Sequence, residues 1–158
     1  MRKLPEVQDA KDLMNEAMEW SSFKWLFEKS KVRQTADRAN DALDHQNRAI
    51  KARWSDEVKT AFKKLSASKH APGQHVEDNH QPGGANSDLG LLIVEIIKAD
   101  EAAHRARMKA EEAFEEAERQ MSTSLAREGC KKAIHSWELH EKATRKAEAL
   151  AAAGHLDE

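Results

Sequence analysis

The stretch VRQTADRANDALDHQNRAIKARWSDEVKTAFKKL, Val32 to Leu65, decides the fold. Val32, Ala36, Ala39, Leu43, Gln46 and Ile50 recur at alternating steps of four and three, which keeps one face of a helix against a partner helix. Trp54, Val58, Ala61 and Leu65 carry the stripe on after an extra step of four, so the supercoil is expected to unwind locally between Ile50 and Trp54. Gln46 is the polar member of the seam and is placed to fix its register.

Working outward, a second long stripe lies further along the chain. Leu89, Ile96, Ala103, Ala110 and Ala117 sit seven apart, flanked by Leu92, Ala99, Ala106 and Ala113 on one side and Ile93, Phe114 and Met121 on the other. Small alanines there allow helix axes to approach closely. Val7, Ala10, Met14, Ala17 and Met18 form a shorter amphipathic stripe before the first seam. Ile134, Trp137, Thr144, Ala147 and Ala151 form another after the second.

Composition agrees with this pattern. Of 158 residues 39 % are apolar and 34 % charged, with six Gly and three Pro, too few turn formers for a sandwich, a barrel or a doubly wound sheet. The expected class is all-α: an elongated antiparallel helical bundle, or coiled-coil hairpin, of about four helices in one domain spanning 1–158. Ser30 as a cap and Gly129 as a stop place the helices at about 6–28, 31–66, 88–128 and 130–153. A polar loop over 67–87 holds Pro72-Gly73, Asn79 and Pro82-Gly83-Gly84. Two continuous helices are the alternative, since nothing between Trp20 and Val32 breaks a helix outright.

Charge supports an antiparallel pairing of the long arms. Lys24 to Lys69 holds 12 basic and 6 acidic residues, and His70 to Glu128 holds 6 basic and 12 acidic. The net charge of −2 gives no overall attraction to nucleic acid or to an anionic membrane. The start of the sequence has no apolar run of signal-peptide length, and Leu89 to Val94 is far too short to span a bilayer. One cysteine, Cys130, leaves no internal disulfide to form, so the expected location is the reducing cytoplasm.

Two groups of residues carry the functional expectation. The cluster Trp20, Phe23, Trp25, Leu26 and Phe27 exceeds what one helix face can bury, and so does Leu91 to Ile97, in which Leu91, Val94 and Ile97 stand out. These two excesses are expected to meet each other or a second chain. The leading reading is a non-catalytic interaction or assembly protein, partnered by copies of itself or by another helical protein, with no cofactor and no small-molecule substrate. The alternative is a metal-binding bundle. Glu101 and His104 share the Glu-x-x-His spacing of bundle metal sites, and His135, Glu138 and His140 offer further ligands on the last helix. The second motif is incomplete, because His135-x-x-Glu138 is reversed. His70, His75 and His80 read as part of a polar connector. Cys130 and His135, five residues apart on a helix, point about 140° apart and form no nucleophile and base pair. No Gly-rich phosphate loop, His-Glu-x-x-His or Cys-x-x-Cys pattern occurs.

Overall fold

The computed structural model describes residues 4–68 and 84–156. Every regular element among them is a helix: α1 (Pro5–Ala17), α2 (Ser22–Ala52), α3 (Asp56–Ser68), α4 (Gly84–Gln120) and α5 (Thr123–Leu156). No described helix is long and apolar enough to cross a membrane.

The longest elements, α4 with 37 residues and α5 with 34, are each about 50–55 Å long and pack antiparallel in the most extensive contact of the molecule. Much of what they bury is small side chains. Ala103, Ala110, Ala113 and Ala117 come from α4, and Ala126, Cys130, Ala133, Ala143, Ala147 and Ala151 from α5. The turn between them is tight. Met121 takes the left-handed φ of 50° while Ser122 N–H donates to the Ala117 carbonyl at 3.0 Å, which closes α4 with a Schellman-type cap. Ser122 also opens α5, its Oγ accepting from the Leu125 N–H at 3.2 Å.

Three differences from the sequence reading follow from such local chemistry. The expected breaks at 29–30 and 129 are absent: α2 runs through Ser30 and α5 through Gly129. The first break falls instead at Met18–Ser21, where the Ser21 hydroxyl caps α2 by accepting from the Lys24 N–H at 3.2 Å. Arg127 on α5 secures this link by donating to the carbonyls of Met18 and Trp20. The phase shift at Ile50 to Trp54 is a complete helix break. Trp54 turns inward to donate from Nε1 to the Ala147 carbonyl at 3.0 Å, and Ser55 starts the next helix by accepting from the Val58 N–H. Helical structure also enters both ends of the expected 67–87 loop, since α3 reaches Ser68 and α4 starts at Gly84. His70, His75 and His80 lie outside the described residues.

The oppositely charged arms do not pack as a close hairpin. α2 lies on α1 and α5, α3 lies on α4, and α2 makes only glancing backbone contact with α4. Long side chains bridge the gap: Arg33 to Glu118 at 3.8 Å, Asp44 to Arg107 at 3.1 Å and Lys51 to Asp100 at 2.6 Å. The α4 partner steps backward as the α2 partner steps forward, so the two helices are antiparallel across a groove. α5 forms the floor of that groove.

Gly129 has a packing role. A Cβ there would lie 2.7 Å from the Phe114 ring, which is itself held by stacking on Trp25 with centroids 6.3 Å apart. Gly129→Ala gains up to about 1 kcal/mol of helix propensity against an overpacking cost of about 1–3 kcal/mol. Urea denaturation is expected to show a net loss of about 1 kcal/mol.

Candidate functional site

The interior is divided into two apolar cores with a polar layer between them. The first gathers Met14, Trp25, Val32, Leu43, Phe114 and Trp137 with their smaller neighbours; the second gathers Ile50, Trp54, Val58, Ile93, Ile96 and Leu150. Between them the α2–α4 groove deepens into a cleft of about 240 Å³. α2 lines it with Asn40, Asp44, Asn47 and Arg48, α4 with Asp100, Ala103, His104 and Arg107, and α5 with Ser136, Trp137 and His140. The buried polar seam residue is thus Asn40 rather than Gln46, which is only half-buried. Asn40 Oδ1 accepts from Trp137 Nε1 at 3.0 Å and ties α2 to the floor of the groove.

The layer is charged, and its two carboxylates are both paired. Asp44 and Asp100 are paired to Arg107 and Lys51, all four side chains being a quarter to a third exposed, so each pair contributes about 0–1 kcal/mol. Beside them burial pushes the His140 imidazole below its usual 6.5; the nearby Asp44 and Asp100 oppose this shift, and Arg107 and Lys51 add to it. His140 is therefore neutral at pH 7. Two buried acceptors have no hydrogen-bond partner among the described residues: Asn47 Oδ1, at the cleft, and Thr144 Oγ1, one turn beyond His140 on α5.

The five metal candidates do not assemble. His104 and His140 line the same cleft, but His135 and Glu138 are exposed and are not part of it, and Glu101 is not among its lining residues. Among the described residues no group of three or more His, Cys, Asp or Glu side chains is placed to hold a metal ion. Cys130 is buried and its thiol is pushed up to about 12 by that burial, which removes it as a nucleophile at neutral pH.

The apolar candidates divide sharply. Trp20, Trp25 and Ile97 are covered by their own chain, Trp25 against Trp20 and Phe114, and Val94 is half-buried. Phe23 and Phe27 stand out at 71 % exposure each, their rings meeting edge to face at 4.9 Å on the outer side of α2. Leu26 and Met121 extend this surface into the end of the α2–α4 groove, where a hollow of about 340 Å³ is lined also by Lys29, Ala117 and Glu118. Leu91 and Leu92 are exposed on α4. The two apolar excesses do not meet within the chain: the aromatic one adjoins the first core, and Ile93, Ile96 and Ile97 belong to the second. Met121 was named in the α4 stripe but not as a surface residue, because its exposure depends on the turn conformation it adopts.

No protein-family model, curated protein or solved structure matches the chain.

Thr144→Val tests the polar layer. It keeps the side-chain shape and removes an unpaired buried hydroxyl, so thermal unfolding is expected to shift upward, by about 1 kcal/mol of added stability. A loss of stability would show that the hydroxyl has a partner in solution.

Proposed function

We propose that this chain is a non-catalytic interaction or assembly protein that docks through Phe23, Leu26, Phe27 and Met121, with a second copy of itself as the first partner to test. The observation that carries this reading is the exposed edge-to-face pair of Phe23 and Phe27. A whole aromatic side chain offers about 150–250 Å², so the pair leaves on the order of 200–350 Å² of ring surface in water. Leu26 and Met121 adjoin it and bring the patch into the range of the largest apolar patch on a single chain, which is often a functional surface. A standard interface buries about 800 Å² per partner. The patch would then be the apolar centre of a contact whose rim is polar, with Ser22 and Lys29 at its edge. The buried lone thiol of Cys130 is compatible with a cytoplasmic setting.

Replacing Phe23 and Phe27 together by Ser separates surface from core. Sedimentation velocity is expected to show concentration-dependent assembly of the wild-type chain that the double variant loses, with the helical circular dichroism signal unchanged. Trp25→Glu, by contrast, places a charge at a site only 4 % exposed and is expected to unfold the chain. A double variant that assembles as the wild type does would remove this surface from the function.

A further inference from the structure

The polar layer holds a feature that the docking surface does not use. α2 and α4 have almost no close backbone contact; Trp25 on Phe114 joins them at one end and Ile50 meets the α4 isoleucines in the second core at the other, and at this height between them the groove is closed by side-chain bridges, Asp44 to Arg107 and Lys51 to Asp100. His140 rises from the floor between them. The groups facing it are Asp44, Arg48 and Lys51 from α2 and Asp100, His104 and Arg107 from α4. On α5 itself the adjacent Glu141 is engaged elsewhere, by Lys11 of α1 at 2.7 Å. With His140 neutral, Asp44 and Asp100 are each committed to one cation, Arg107 and Lys51, and Arg48 is a third cation on the same cleft.

We infer that His140 is a proton-operated release for the α2–α4 groove: its imidazolium takes Asp44 from Arg107, and α2 moves away from α4. A proton taken from solvent through the open cleft turns the imidazole from one N–H donor into two and adds a cation to a cluster in which Arg48, Lys51 and Arg107 already face only two carboxylates. Asp44 is the larger of the two anionic influences on the ring, and Asn47 Oδ1 is a buried acceptor on the same cleft without a donor among the described residues. Both belong to α2, so both draw the new donors toward that helix. Arg107, displaced from Asp44, is left on α4 beside a new positive charge. The space of about 240 Å³ in the cleft lets these side chains exchange partners. Because the folded chain disfavours the charged imidazole, the unfolded chain binds its proton first. Stability from this group is thus complete above 6.5 and declines as the pH falls through the window below it.

Paired nitroxide labels at Ala49→Cys on α2 and Met108→Cys on α4 report the width of the groove by pulsed electron paramagnetic resonance. The native Cys130 stays in place, since it is buried and its thiol titrates only near 12. Lowering the pH from about 8 to about 5 brackets the histidine range. The inter-label distance is expected to lengthen and broaden over that range in the labelled parent and in His104→Gln, and to stay short in His140→Gln. Asp44→Asn, which lacks the carboxylate that closes the groove, is expected to give the long distance at both pH values. An unchanged distance in the parent, the same change in His140→Gln, or a short distance in Asp44→Asn at pH about 8 would each overturn the inference.

Discussion

The close alanine-lined contact between α4 and α5 is the constraint on which the other elements depend. A seam of Ala103, Ala110, Ala113 and Ala117 against Ala126, Ala133, Ala147 and Ala151 lets two long helices run side by side, with Gly129 making room for Phe114. Small side chains bury little area each, at roughly 25 cal/mol per Å². The pairing is therefore effective only because it extends over so many turns. α1, α2 and α3 then add Met14, Trp25, Leu43 and Trp54, which pack with Phe114, Trp137, Ile93, Ile96 and Leu150 of the hairpin to fill the two cores.

That division of labour explains the groove. α2 reaches α5 through Asn40 and α1 through their shared core, and its backbone stays clear of α4. The interval between the two helices is filled by Trp25 on Phe114 near one end and by paired charges further along. Where aromatic filling stops, a layer rich in Asp, Asn, His and Arg separates two apolar cores. A polar layer of this kind sacrifices some burial and specifies how the helices align, as a buried Asn does in a two-helix seam.

Much of the fold was legible in the sequence because it rests on periodicity. Val32, Ala36, Ala39, Leu43 and Ile50 are all buried as the spacing requires, and so are Ile96, Ala103, Ala110 and Ala117. Helix ends were harder to place, because they rest on single hydrogen bonds. Ser21, not Ser30, accepts the capping bond, and a methionine rather than a glycine takes the left-handed turn after α4. Charge counting identified complementary arms but not their distance: long Lys and Arg side chains satisfy the same arithmetic across a groove as in a tight hairpin. The candidate surface was half legible. The aromatic cluster exceeds one helix face, yet which of its members go inside depends on Phe114 and on the α1–α2 link, neither of which the local spacing encodes.

The two proposed sites then differ in their physics. One end of the bundle leaves Phe23 and Phe27 exposed without any bond requirement of the fold, and the middle keeps a titratable side chain under the bridges that join α2 to α4. Both depend on a rigid α4–α5 hairpin to hold their positions. Native-state hydrogen exchange followed by mass spectrometry tests that rigidity most directly. The packing predicts that the slowest amides lie in Ala110–Ala117 of α4 and Ala126–Trp137 of α5, with α1 and α3 exchanging well before them. Slowest exchange in α2, with α4 and α5 no better protected than α1, would contradict it.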